Sequence, residues 1–326
     1  MIFDKVAILF NLLSIMVFSV LFIIFTLSVL VKCKSDQLSQ YSISSRRRVL
    51  WFIVLSPWFF GFLAAFLAII SGSPIISDSQ YFPFLQSFDL HHYHSQEFNL
   101  NSWHGISMIL SAAFVTIIFS QKTYNLIMNH RQIKLLHALA ERDENNIYQL
   151  EADASTAFTA GYWLPRCYIT SALRQQLTSE EYTIVQLHEK EHARRGDPLK
   201  KWIFQLFTSF FPKSISKKLN QVMSLVMEQC ADLAVTNKIS DKSLIAQTLI
   251  KVSRLAVKPF DNGLNTNAVC HYSNDNIEER ISYLLSEQSS KALPIFTLIF
   301  IALATSVFCA LTVDIFHHTI EYSLSH

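Results

Sequence analysis

A chain of 326 residues in which 51% are hydrophobic and only 16% charged, with a mean hydropathy of +0.27, is too apolar for an ordinary soluble protein. A net charge of +2 carries no electrostatic footprint for nucleic acid, so no direct nucleic-acid partner is expected. The five cysteines (Cys33, Cys167, Cys230, Cys270, Cys309) include no C-x-x-C pair, which argues against a disulfide framework or a zinc ribbon and suits a reducing compartment for the central region.

Four apolar runs are long enough to cross a bilayer, which takes about 20 helical residues. They are Val6 to Val31, Val49 to Ile70, Trp103 to Ser120 and Ala292 to Val313. The first lacks a small-residue cleavage site and reads as a retained span. Pro57 and Gly61 in the second are tolerated in membrane helices. The loop 32–48 holds Lys32, Lys34, Arg46, Arg47 and Arg48, whereas the loop 71–102 holds no Lys or Arg and carries Asp78, Asp89 and Glu97. Basic loops stay in the cytoplasm, so residues 1–120 are expected to form three spans with 32–48 inside and 71–102 outside. Residues 121–291 then form a cytoplasmic domain, 292–313 a fourth span, and 314–326 a short outward tail without a sensor domain. The histidines His91, His92, His94, His317 and His318 read as polar residues near the headgroups, with a metal- or pH-sensing role as the less favoured alternative.

Residues 121 to about 150 show an amphipathic helical pattern (Leu126, Ile133, Leu136, Leu139) that continues the third span. His130 and His137 on it lack an i, i+4 partner and read as surface or packing residues. Ala154 to Thr170, broken by Gly161 and Pro165, reads as short strands. Such a sheet edge either pairs with an extended substrate or is a plain structural hairpin. Thr178-Ser179-Glu180-Glu181 is a capping box opening a helix that Gly196 and Pro198 close. Leu199 to Phe211 is very apolar but too short to span, and is either an interfacial segment or a buried helix. Helices are expected from about Ile215 to Thr236, from Asp241 to Val257 and from Ile277 to about Glu287.

The chemistry lies in His188-Glu189-Lys190-Glu191-His192, an H-E-x-x-H motif. Positions i and i+4 of a helix share a face, so His188 and His192 can grip one metal ion while Glu189 reaches a water on it. The competing reading is a charged, solvent-facing turn. Glu228 and Asp232, again at i, i+4, are flanked by Leu225, Val226, Met227, Ala231, Leu233 and Ala234, a poor setting for solvated carboxylates. Catalytic zinc commonly takes two histidines and a carboxylate, so Glu228 is the candidate third ligand and Asp232 the group that orients an imidazole. A salt bridge to Lys or Arg is the alternative for both. His271 and Tyr272 are candidate oxyanion donors, with loop packing as the alternative.

The motif followed directly by Ala193-Arg194-Arg195-Gly196-Asp197-Pro198 resembles the BlaR/MecR family of membrane-embedded zinc metallopeptidases. So does the stretch Gly161-Tyr162-Trp163-Leu164-Pro165-Arg166-Cys167-Tyr168-Ile169-Thr170 that leads into Leu177-Thr178-Ser179-Glu180-Glu181. The likeness covers nearly the whole chain. It implies a gluzincin-type domain with His188, His192 and Glu228 holding zinc and Glu189 as general base. It also implies a peptidase that removes a transcriptional repressor, or cuts itself, after a signal. Two departures stand out. Only a short tail follows the fourth run, so the signal is expected through the outward loop, the spans or a separate sensor protein. Ala231 precedes Asp232 where family members often carry Cys, which is similar to the E-x-x-A-D of the HtpX and CAAX-prenyl-protease group, as is Glu279-Arg280-Ile281.

The expected protein is thus a multi-pass α-helical membrane protein with a mainly α, α+β cytoplasmic metallopeptidase domain, in the cytoplasmic membrane of a bacterium. Its partners are a protein substrate and membrane lipid. The rival readings are an HtpX-like quality-control protease and a non-catalytic signalling scaffold of the same fold.

Overall fold

The computed structural model describes residues 2–3, 5–71, 97–98, 103–256, 269–271 and 277–286. The fourth apolar run 292–313, the tail 314–326, most of the loop 71–102 with its histidines, and Tyr272 lie outside the described residues.

Three long helices lead the chain: α1 (Lys5–Lys34), α2 (Ile43–Ser71) and α3 (Trp103–Leu139). All three are long and apolar enough to cross a membrane, over Val6–Cys33, Ile43–Phe66 and Gly105–Leu139. A two-residue pairing of β1 (Ile2–Phe3) with β2 (Glu97–Phe98) ties the start of the chain to the stretch before α3.

The helix α3 stops at Leu139, short of the 150 expected from its pattern. Residues 141–150 instead form β3 (Glu141–Arg142) and β4 (Ile147–Leu150). The reversal falls on Asp143-Glu144-Asn145-Asn146, where Asn146 sits at φ 61° and its Oδ1 accepts from the Arg142 guanidinium. Asn tolerates the left-handed region that a tight turn needs, and Ile147 and Leu150 gain burial as strand residues.

These strands join β5 (Ala157–Ala160), β6 (Arg166–Thr170) and β7 (Val269–His271) in one sheet of order β3-β4-β6-β5-β7. Only the β4–β6 pair is parallel. The expected hairpin over 154–170 is β5 and β6. Its turn needs Gly161, at φ 112°, where an added Cβ would come 2.6 Å from the Leu164 carbonyl oxygen. The far side of β5 is not open, because β7 of the same chain pairs with it, Phe158 opposite His271.

Six more helices follow among the described residues: α4 (Ser171–Gln176), α5 (Ser179–Arg195), α6 (Asp197–Thr208), α7 (Lys213–Thr236), α8 (Lys242–Leu255) and α9 (Ile277–Leu285). The capping box at Thr178 is present. Thr178 Oγ1 accepts from the Glu181 amide and the Glu181 carboxylate accepts from the Thr178 amide at 2.8 Å. Gly196, at φ 65°, ends α5. Pro198 does more than forbid continuation: it lies in the first turn of α6, where a missing N–H costs nothing.

One apolar core lies between the sheet and α5, α8 and α9, with Ile169, Leu173, Ile184, Leu249 and Leu284 among its buried members. A second fills the other face of the sheet under the end of α3, from Ile133 and Leu136 to Phe158 and Tyr168, whose rings stack at 5.3 Å. The third joins α1 and α2 to α6 and α7 through Ile23, Leu50, Phe204, Leu219 and Met223. It decides the two readings of 199–211. Phe204 lies edge-on to Trp51 at 5.4 Å, and Phe210 to Trp58 at 4.7 Å. The segment is a helix and turn packed against the apolar helices, each buried large side chain contributing about 1.5–3 kcal/mol. The helix that carries Glu228 therefore shares its core with two of the three candidate spans.

Candidate metal centre

The capped helix α5 and the long helix α7 pack side by side and bring three donors together. His188, His192 and Glu228 are all buried, and their ligand atoms lie within 4.8 Å of one another. The two Nε2 atoms are 3.1 Å apart, and the Glu228 carboxylate lies 3.3 Å from His188 Nε2 and 3.6 Å from His192 Nε2.

What faces the other ring nitrogens sets their role. His188 Nδ1 is 3.0 Å from Asp232 Oδ1, and His192 Nδ1 is 2.7 Å from Asp197 Oδ2. A carboxylate oxygen accepts, so each Nδ1 carries the proton and donates it. Each Nε2 is left with its lone pair turned toward the other. Two lone pairs at that distance need a cation between them, either a proton or a metal ion. Buried imidazoles fixed by carboxylates and facing a third carboxylate fit zinc as a donor set.

The electrostatics follow from Arg280, buried at 1% exposure. Its Nε and Nη2 donate to Asp232 at 2.8 and 2.7 Å, and its Nη1 lies 3.1 Å from Glu228 Oε2. Burial is the largest influence on both carboxyls and pushes them up, but the guanidinium and the imidazoles together outweigh it, holding Asp232 below and Glu228 well below the usual carboxylate range. Burial opposes charge on His188, but its contacts with Asp232 and Glu228 raise it overall. The two sequence alternatives for this pair are thus both realised. The carboxylates meet the imidazoles and an arginine at once.

Glu189 is wholly buried. Its Oε2 lies 2.7 Å from the Thr159 hydroxyl on β5, and its Oε1 has no hydrogen-bond partner among the described residues. Burial raises its carboxyl, only partly offset by the two histidines and Thr159. A carboxyl fixed through one oxygen, with the other free beside the imidazole pair, is placed to exchange a proton. His271 lies in β7, beside the strand that carries Thr159, in register with Phe158.

Sequence reasoning brought forward His188, Glu189, His192, Glu228 and Asp232, and these five converge. It missed Asp197, Arg280 and Thr159. Asp197 was visible as the acid just past the Gly196 cap. Arg280 was visible as the one basic residue at the head of α9. Nothing in the sequence singles out Thr159.

A family model described as BlaR1 peptidase M56 matches residues 8–284. The chain belongs to the BlaR1 peptidase family M56. No curated protein matches it. M56 proteins are metallopeptidases, and the match takes in the three apolar helices together with the His188–His192–Glu228 group. As an M56 protein the chain is a membrane-associated metallopeptidase of the BlaR1 kind.

Proposed function

We propose that this chain is a zinc endopeptidase of a bacterial cytoplasmic membrane, its catalytic domain facing the cytoplasm, that cuts a regulator or itself in response to a signal. The observation that carries the catalytic part is the facing Nε2 pair, 3.1 Å apart, with each Nδ1 held by a carboxylate and Glu228 alongside. The regulatory part rests on the BlaR1 kinship, with a transcriptional repressor as the substrate class it suggests.

His188, His192 and Glu228 would hold the metal, and Asp232 and Asp197 would fix the imidazoles for it. When bound, zinc supplies Lewis-acid polarisation of a water and of the scissile carbonyl. Glu189, through Oε1, would take a proton from the attacking water and pass it to the leaving amine. Its raised affinity for a proton, from burial, suits both halves of that transfer. Thr159 keeps the carboxylate from swinging away. His271, the oxyanion donor expected from the sequence, pairs in β7 with Phe158, on the sheet face away from Thr159 and Glu189, so its strand position lends that role no support.

The test compares new protein N-termini in cells carrying wild type and Glu189→Ala. One or two wild-type-only cuts, in a DNA-binding regulator or in this chain, are expected. Many cuts across membrane proteins would replace the regulatory reading by an HtpX-like quality-control role. No difference under any stress would favour a non-catalytic scaffold.

A further inference from the structure

The metal-binding helix is tied to the second apolar helix by a buried polar link as well as by apolar packing. Arg46 stands in the first turn of α2 and is only 4% exposed. Its Nη2 donates to Gln229 Oε1 at 2.7 Å. Gln229, 3% exposed, follows Glu228 in the chain, and its Nε2 donates to the Glu279 carbonyl at 3.4 Å. The Arg46 guanidinium also lies over the Tyr283 ring, 5.6 Å from its centre. Glu279 and Tyr283 flank Arg280, which holds Glu228 and Asp232.

Burying a guanidinium is costly, the more so because Arg46 Nε has no hydrogen-bond partner among the described residues, and apolar packing alone would join these helices. The charge-assisted hydrogen bond from Arg46 to Gln229 fixes orientation in a way packing does not, because it holds at one register only. Arg46 touches α7 one residue from the carboxylate ligand and α9 at Tyr283, three residues past that ligand's charge partner, while Gln229 meets α9 at Glu279 on the other side of it. A rotation or shift of α2 at this end therefore reaches Glu228 by two routes, through Gln229 and through α9.

We propose that Arg46 is a positioning residue for the metal centre, linking the charged end of the second apolar helix to Glu228 through Gln229 and through the α9 segment that carries Arg280. The inference rests on the zinc-site reading above. It makes the placement of α2, and so any signal that moves that helix, a determinant of metal geometry.

The test uses the full chain in lipid nanodiscs, loaded with cobalt(II) in place of zinc. Its visible absorption reports ligand geometry, and competition with a chromophoric chelator reports affinity. Wild type binding about one cobalt per chain upholds the metal-centre reading; wild type binding none overturns that reading, whatever the variants do. Given binding, Arg46→Met and Gln229→Met are each expected to alter the cobalt spectrum in the same way and to weaken binding about tenfold. The double variant should be no worse than either alone, and Arg46→Lys should return toward wild type. Leu50→Ala, on the same face of α2 and wholly buried, should lower Tm and leave the spectrum unchanged. Should Arg46→Met fail to accumulate, Arg46→Lys and Gln229→Met carry the same comparison. The proposal is overturned if the link variants keep the wild-type spectrum and affinity, or differ from wild type only as Leu50→Ala does.

Discussion

At the scale of single residues, the two histidines owe their chemistry to Asp232 and Asp197. Each carboxylate claims an Nδ1 proton at 3.0 and 2.7 Å, and this turns both Nε2 lone pairs inward. Replacing Asp197 by Asn removes that fixed acceptor charge while keeping size. Outer partners of this kind are worth about 10–100-fold in metal affinity, so Asp197→Asn should weaken zinc binding by that amount in a chelator competition, with the fold intact by circular dichroism. Glu189→Gln should behave differently. It keeps the ligands and should keep the metal, but a lost general base costs about 10²–10⁴-fold in rate. An assay of cleavage in metal-loaded protein separates the two, since Glu189→Gln with wild-type turnover would remove Glu189 from its role. His188 with His192 and Glu228 with Asp232 were legible because helical spacing places i and i+4 on one face, and Glu189 because it stands beside the first histidine of the motif; neither rule needs a fold. Asp197 and Arg280 were not, because Asp197 reaches back across a helix cap and Arg280 comes from a helix 48 residues beyond Asp232. Only packing makes such neighbours.

At the scale of elements, the capping box at the head of α5 sets the start of the helix on which the motif sits. Thr178→Ala should cost about 1 kcal/mol of stability, the usual worth of such a cap, read as a lowered Tm at unchanged metal stoichiometry. Glu181 in that box also accepts from Lys251 on α8 at 2.6 Å. Burial pushes the Glu181 carboxyl up, but Lys251 and the Thr178 amide pull it below its ordinary value. A carboxyl lowered on folding stabilises the protein above its unfolded value and loses that contribution as pH falls through the folded one. Tm should therefore decline on acidification below about pH 4.3, and Lys251→Met should flatten that part of the decline; an unchanged slope would remove this pair from the acid response. The helix boundaries here were readable from caps and glycines. The end of α3 was not, since 140–150 keeps a helical rhythm while an Asn146 turn and pairing with β6 draw it into the sheet. A periodic pattern does not register a strand partner twenty residues away.

At the scale of the whole molecule, the metal site is built on the apolar helices and does not hang below them. Phe204, 1% exposed against Trp51, sits at that seam. Phe204→Ala should be among the more damaging core changes, about 3–5 kcal/mol, seen as a large fall in Tm in nanodiscs, whereas an effect no larger than a surface substitution would mean that α6 contributes little to the seam. Composition made the apolar helices legible, and the H-E-x-x-H motif with the family likeness made the peptidase legible. The junction between them, through Arg46, Gln229 and α9, was hidden because a basic residue beside an apolar run reads as a topology signal whether it faces water or protein.

The most direct measurement is the zinc content of the purified full chain beside that of His188→Ala and Glu228→Ala. The expected result is about one zinc per wild-type chain, with little or none retained by either variant after dialysis against a weak chelator. Wild-type protein that is folded, has been offered zinc and holds none would contradict the metal centre, and with it the catalytic reading.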